Sequence, residues 1–470
     1  MDNRREFLKK AVFAAGTAVF IGESDGSIQT DISSMFNMCG YRAPKIPSVR
    51  IGFVGLGMRG PGAVKRMTYI EGVEIKAICD KRKSCTDKVE KMLADSGFPK
   101  PAVYTGSEDA WQEMCQRDDL DLIYIATPWK LHTPMAVYAM EHGKHAATEV
   151  PAARTLEECW QLVRTSEKTQ KHCVMLENCC YDFFEMLTLN MVRQGLFGEL
   201  VHGEGAYIHH LVDLNFNKNG YADMWRLAEN IGRNGNLYPT HGLGPICQCM
   251  NLNRGDRMDY LTAMASDDFT MNAEAEKRAE QDDFYQPYVD QSYRGNMNTT
   301  LIRTLKGKTI MIQHDVSSPR PYSRIHLLSG TKGFAQKWPK EHIAFSHEAV
   351  TDEKMKELYK TYSPELVIRI GEMGKKVGGH GGMDFLMDWS LINALRNGLP
   401  VDMDCYDAAL WSCVTPLSIE SIANRSNSVK VPDFTQGHWK TNKPVALELE
   451  VVTGLRSVQQ ADSSGQLEIE

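Results

Sequence analysis

Residues 49–80, VRIGFVGLGMRGPGAVKRMTYIEGVEIKAICD, decide the first half of the fold. The apolar run 49–54 leads into Gly55, Gly57 and Gly60 in G-x-G-x-x-G order, then into a helical pattern and a second apolar run closed by Asp80. The first glycine makes a tight turn, the second leaves room for a pyrophosphate against the backbone, and the third allows close packing of helix on strand. The diphosphate then lies on the helix N-terminus, where Met58 and Arg59 offer backbone amides. Asp80, 20 residues after Gly60, stands where a carboxylate accepts hydrogen bonds from a ribose diol. A glycine triplet alone is a weak signal, but strand, triplet, helix, strand and acid in this order specify a dinucleotide site. Asp80 favours NAD, because a 2′-phosphate would meet its charge. Lys81 and Arg82 follow at once and keep NADP open.

Upstream, Asn3-Arg4-Arg5-Glu6-Phe7-Leu8-Lys9-Lys10 precedes the uncharged run 11–22. Paired arginines before a short apolar stretch read as a twin-arginine export signal, with periplasmic delivery as the expectation. The run is too short to span a bilayer, which needs about 20 helical residues. A basic amphipathic N-terminus on a cytosolic protein is the plainer alternative. No clean cleavage site follows. That export route carries proteins already folded, and free NAD is not expected outside the cytoplasm. An exported NAD enzyme therefore has to hold its cofactor tightly and return it to the starting redox state in every turnover. This points to a redox-neutral overall reaction or to two coupled half-reactions.

A chain of 470 residues accommodates two domains and a leader. Its 42% hydrophobic and 24% charged content are those of a globular protein. A net charge of −7 and the absence of a basic stripe argue against nucleic acid as a partner. No second apolar run approaches transmembrane length. The 12 cysteines show no disulfide framework, and Cys247-x-Cys249 lacks the second pair that a zinc site needs, so no metal is expected. Most read as reduced, buried small hydrophobes.

From residue 49 to about 176, strands and helices alternate, as in a doubly wound parallel sheet of Rossmann type. Residues 122–126 and 145–150 read as further strands, and 155–169 as a helix with Thr155 as cap and Glu158 three residues on. Carboxyl ends of such strands face the cofactor crevice, which places Thr127, Trp129, His132 and Glu149 near the nicotinamide half. After a helix at 182–194 come β-type runs at 200–209, 260–265, 298–304, 309–315 and 323–329, with few helices between them. They predict an α+β second domain with an open, largely antiparallel sheet, which could pair with another subunit. Helical patterns return at 383–396 and 406–424. The resulting division is 1–47 signal and linker, 48–177 dinucleotide-binding domain, 178–440 substrate domain and 441–470 tail, with the last helices free to pack back on the first domain.

Two stretches outside the glycine turn concentrate proton-handling side chains. Residues 234–245, NGNLYPTHGLGP, read as one loop that carries Tyr238 and His241. Tyr and His suit proton transfer at a sugar hydroxyl or an α-carbon; a hydrogen-bonded structural pair is the plainer reading. Residues 375–384, KKVGGHGGMD, set His380 among four glycines, a loop that could close on a substrate or be a surface turn with an incidental His. Arg320-Pro321-Tyr322 is a further candidate. His209 and His210 end a strand and point to opposite sides, so they read as structural.

With these loops in view, the chain from residue 49 to 439 resembles the glucose–fructose oxidoreductase and inositol dehydrogenase superfamily. More narrowly it resembles glycoside hydrolase family 109, the NAD-dependent α-N-acetylgalactosaminidases. The stretches that carry the likeness are GELVHG at 198–203, residues 234–245, NRGDR at 253–257, residues 379–384 and PDFT at 432–435. Where the superfamily's dehydrogenases have Glu-Lys-Pro, this chain has Glu149-Val150-Pro151, a departure that removes their acid/base lysine and agrees with the hydrolase branch. The resemblance implies hydrolysis of terminal N-acetylhexosaminides by C3 oxidation, C2 deprotonation, elimination at C1, water addition and re-reduction. It also implies that Tyr207, Tyr238, His241 and Tyr322 meet substrate or do chemistry and that His380 aids the leaving group. Gly55, Gly57, Met58, Arg59, Gly60, Asp80, Trp129, His132, Glu149 and Asn178 are then the cofactor residues. The rival readings are an exported NAD(P)-dependent sugar oxidoreductase with tightly bound cofactor, and a binding protein that has lost its chemistry.

Overall fold

The computed structural model describes residues 36–456; the twin-arginine stretch and residues 457–470 lie outside the described residues. Strands β1 (Val49–Val54), β2 (Val73–Cys79), β3 (Ala102–Tyr104), β4 (Leu122–Ile125), β5 (His145–Thr148) and β6 (Cys173–Met175) form a parallel sheet in the order β3-β2-β1-β4-β5-β6. Inner strands such as β4 and β5 are buried along their whole length, which is why they read as uninterrupted apolar or small-residue runs. The order reverses between β1 and β4, and a crevice at the carboxyl ends of the strands follows from that reversal. The helix Leu156–Thr169 starts at the expected capping box, with Thr155 and Glu158 each bonding the other's backbone.

The second sheet has eight strands: β7 (Leu200–Ile208), β8 (Met258–Ala265), β9 (Asn298–Thr304), β10 (Thr309–Asp315), β11 (Leu327–Gly330), β12 (Phe334–Gln336), β13 (His342–Ala344) and β14 (Val429–Lys430). Their order is β13-β12-β11-β7-β10-β9-β8-β14. Only β7 and β10 run parallel; every other pair is antiparallel, so the sheet is open, mixed and mostly antiparallel. On β9, Thr300 and Ile302 are buried while Leu301 and Arg303 face out, the alternation of a sheet with one covered face.

Three local expectations are corrected. The run 406–424 is two helices, Cys405–Ser412 and Val414–Ala423, because Pro416 cannot donate to the Ser412 carbonyl and its ring crowds it. The strand foreseen at 323–329 begins only at Leu327, since Ile325 and His326 take positive φ and break the ladder. Residues 234–245 are not a single loop: a helix, Thr240–Met250, begins inside them and carries His241 in its first turn. Its glycines are packing residues rather than breakers, for a Cβ on Gly242 would lie 2.3 Å from the Ala206 amide of β7. More helix is interleaved with the second sheet than expected, including Met271–Ala279.

The helix Met383–Asn397 packs back on the first domain. Asp388 on it accepts from Arg66 Nε at 2.7 Å and from the Tyr124 hydroxyl at 3.1 Å, both groups buried.

Candidate active site

The glycine turn is shaped as its spacing demands. Gly55 has φ +87°, and a Cβ there would lie 2.6 Å from the Ala126 carbonyl. A Cβ on Gly60 would be 2.0 Å from Gly55 O, so this glycine seats the helix Gly60–Met67 on its own turn. At Gly57 the added carbon meets only an Arg82 nitrogen at 3.4 Å, which leaves the open space a phosphate requires. The helix has neither an acidic residue in its first turn nor a side-chain cap, so its positive end is free for an anion. Asp80 accepts from the Leu56 amide at 2.8 Å and from Arg82 N and Nε at 2.9 and 3.1 Å, holding the turn. Lys81 pairs with Asp223 at 3.0 Å. Both cations that follow Asp80 are paired with carboxylates, and the glycine turn has the shape of a dinucleotide cradle.

At the ends of β4 and β5 the expected cofactor residues divide by role. Trp129 stacks on Tyr238, with centroids 5.5 Å apart and rings inclined by 25°. His132 is buried with Nδ1 2.7 Å from Pro151 O and Nε2 2.8 Å from Thr127 O, so its ring braces the two crevice loops. Arg59 reaches Glu149 at 3.2 Å, Asp384 at 3.1 Å and His380 Nδ1 at 3.1 Å. Asn178 donates to the other oxygen of Asp384 at 2.6 Å. Burial pushes the Asp384 carboxyl up, but Arg59 and Arg66 outweigh it and hold the group well below the ordinary carboxylate range. His380 Nδ1 lies 3.0 Å from the same carboxylate, on a 3-10 turn, His380–Gly382, with its side chain half-exposed.

The remaining candidates converge across the crevice. Ring centroids separate Tyr207 from Tyr238 by 4.6 Å, Tyr238 from His241 by 4.8 Å, Tyr207 from His241 by 5.4 Å and Tyr207 from Tyr322 by 6.3 Å. Burial raises the Tyr207 and Tyr238 hydroxyls above their ordinary value, with Arg226 opposing it in part, so both stay protonated.

Sequence reasoning missed two residues that organise this cluster. Glu177, directly beyond β6, accepts from His241 Nδ1 at 2.7 Å and is itself fully buried. Burial pushes its carboxyl up, yet His241 and the donors around it bring it below the usual value. A carboxylate on Nδ1 fixes the imidazole's tautomer and leaves Nε2 to take a proton. The topological rule that selected Glu149 would also have selected Glu177. Arg226 carried no such signal. Its guanidinium carbon is 5.0 Å from the Tyr238 ring, 5.3 Å from Trp129 and 5.9 Å from Tyr207. It follows Asp223 and Met224, two consecutive residues at φ +57° and +48°. Such backbone costs about 1–3 kcal/mol per residue and persists where surroundings enforce it. Cys179 also lies beside this pair, with one ligand-type atom each from Glu177, Cys179 and His241 within 4.8 Å of one another; burial keeps its thiol protonated.

Residues 181–441 match the family model "Glycosyl hydrolase 109, C-terminal domain", and residues 49–177 match "Oxidoreductase family, NAD-binding Rossmann fold". The chain is 50% identical over 414 residues to an alpha-N-acetylgalactosaminidase of Bacteroides fragilis, covering 87% of this chain and 96% of the relative. It is 47% identical over 454 residues to a glycosyl hydrolase family 109 protein of Shewanella pealeana, covering 95% and 99%. Among solved structures it is similar in fold to levoglucosan dehydrogenase in complex with NADH, with TM-score 0.61, 19% identity and coverage of 82% and 100%. It is likewise similar to an aldose-aldose oxidoreductase from Caulobacter crescentus, with TM-score 0.58, 15% identity and coverage of 82% and 100%. A NAD-binding Rossmann domain joined to this C-terminal domain, with half its residues shared across nearly the full length of such relatives, makes the chain a member of glycosyl hydrolase family 109.

Proposed function

We propose that this protein hydrolyses terminal N-acetylhexosaminides, α-N-acetylgalactosaminides foremost, through transient oxidation of the sugar at C3. The observation that carries this is the His241–Glu177 pair, set among Tyr207, Tyr238 and Tyr322 beside the dinucleotide cradle. When bound, NAD supplies a reversible hydride acceptor for C3. A ketone at C3 acidifies the C2 hydrogen, which lets the C1 substituent leave by elimination; water addition and reduction at C3 complete a net hydrolysis. His241 Nε2 takes the C2 proton while Glu177 stabilises the imidazolium that results. Tyr238, protonated at rest beside the Arg226 cation, hydrogen-bonds the C3 hydroxyl and relays its proton to solvent as the hydride leaves, returning one on re-reduction. His380 sits on its glycine turn to protonate the departing group, and Arg59 and Glu149 tie that side to the cofactor cradle. Val150 stands where a simple sugar dehydrogenase would keep an acid/base lysine, which supports hydrolysis over release of a keto-sugar. A cycle that restores its cofactor also suits export by the twin-arginine leader to the periplasm.

The test uses purified protein without added cofactor, p-nitrophenyl α-N-acetylgalactosaminide and D₂O. Cleavage with deuterium at C2 of the released sugar is expected. Cleavage without exchange overturns the elimination route, and stoichiometric keto-sugar without cleavage makes the protein an oxidoreductase.

A further inference from the structure

His209 and Arg324 lie outside the chemistry assigned above, yet each bonds the hydroxyl of a tyrosine facing the crevice. His209 follows Tyr207 by two residues at the end of β7, so the two share one side of the strand, and Tyr207 Oη lies 3.0 Å from His209 Nδ1. The His209 ring also stands edge-on to Tyr322, with centroids 4.9 Å apart. Arg324 Nη1 donates to Tyr322 Oη at 3.3 Å, and its other terminal nitrogen is fixed by Asp182 at 2.5 Å and Glu185 at 2.7 Å.

We propose that His209 and Arg324 are positioning residues that set opposite hydrogen-bond polarities on two tyrosines: Tyr207 presents an acceptor to the substrate, Tyr322 presents a donor, and together they read an acetamido group. The inference rests on the reading of the substrate as an N-acetylhexosaminide. Polarity follows from what each partner can do. A guanidinium has donors only, so Tyr322 Oη accepts from Arg324 and its own proton is free for the ligand. At Tyr207 the Arg226 guanidinium, its carbon 5.9 Å from the ring centroid, puts a positive charge beside the phenol that repels the hydroxyl proton. The Tyr207 proton then goes to His209 Nδ1, which accepts when the imidazole is neutral with its proton on Nε2. Burial, then the positive charge of Arg226 and neighbouring imidazoles, lowers His209 to about 4, so the ring is neutral at working pH. An acetamido group carries its N–H donor and its carbonyl acceptor on two atoms that point in opposite directions. A hydroxyl has both on one oxygen, so it serves both tyrosines only where their hydroxyls converge on a single atom, whereas the acetamido group meets them at two.

The experiment measures binding of N-acetylgalactosamine and galactose to the holoenzyme by calorimetry, alongside KM and kcat for the two p-nitrophenyl α-glycosides. Arg324→Lys, which keeps a charge for Asp182 and Glu185 but has one ammonium in place of the fork that also reaches Tyr322, and His209→Leu are each expected to cut the preference for the acetamido sugar roughly tenfold, in affinity and KM rather than kcat. Galactose affinity should barely move. His209→Asn, whose amide oxygen takes the place of Nδ1, should restore most of the preference. Equal losses for both sugars in both variants would make the contacts merely structural and overturn the proposal, as would a wild type without preference. If His209→Leu fails to fold, Arg324→Lys decides alone. A wild type that prefers the acetamido sugar but cleaves no N-acetylhexosaminide sinks the hydrolase reading and leaves this one standing.

Discussion

His241 illustrates how one side chain gains a role from a single neighbour. Alone it is a half-buried imidazole at a helix start; with Glu177 at 2.7 Å its tautomer is fixed and Nε2 is left for the base role proposed above. Glu177→Gln keeps the size and the acceptor but removes the charge that stabilises imidazolium. Its kcat on the nitrophenyl glycoside is expected to fall roughly 10²–10⁴-fold with KM little changed. A loss confined to KM would show instead that Glu177 only shapes the binding surface. Asp384 is a second such residue: Arg59, Arg66, Asn178 and His380 all meet its buried carboxylate. Neither acid was named from sequence. Their partners lie 64 residues away for Glu177 and 325 for the Arg59–Asp384 pair, and no local pattern encodes such meetings.

The glycines act at the scale of the element, and their separate roles predict separate failures. Gly57→Ala adds a methyl group to open space, so the fold should keep its Tm while the purified protein carries little nucleotide, read from its ultraviolet absorbance and released NAD. Gly60→Ala drives a carbon to 2.0 Å from Gly55 O and must displace the helix, lowering Tm as well. Gly242→Ala should push the helix Thr240–Met250 off β7, costing about 1–3 kcal/mol and moving His241 with it. Equal Tm for Gly57→Ala and Gly60→Ala would refute the division of labour. The roles of Gly57 and Gly60 were legible from spacing alone. The role of Gly242 was not, because glycine near proline in a sequence signals a turn, and only the opposing strand, Gly205 and Ala206, shows that it is a contact.

Across the whole molecule, buried neutral imidazoles link stability to pH. His172 stacks on His145 with centroids 5.1 Å apart, and burial lowers it to about 4. Its folded value lies below the ordinary 6.5, so its contribution is present above pH 6.5 and is lost as pH falls toward 4, where the unfolded chain binds a proton that the folded chain refuses. His172→Phe retains a stackable ring without that titration. Relative to wild type, it should gain stability between pH 6.5 and 4, by up to about 1.4 kcal/mol per pH unit, in urea melts at a series of pH values. A constant difference across that range would show that His172 titrates normally in the fold. Asp388 titrates in the opposite sense, since burial raises it to about 6; only the paired comparison isolates the imidazole.

Sequence by itself determined what depends on neighbours in the chain: the dinucleotide turn, the parallel strands, the capped helix 156–169, and the change to β-rich texture after residue 200. Each rests on spacing over a few residues, where periodicity and turn chemistry act directly. Tertiary structure alone decided that Glu177 would orient His241 and that Arg226 would pack against the rings of Tyr207 and Tyr238. It likewise decided that His132 would brace two loops and that His209 would bond Tyr207. These depend on two sheets and a returning helix bringing distant segments into one desolvated crevice. There a side chain's role follows from the partner that replaces water, and its place along the chain does not reveal that partner.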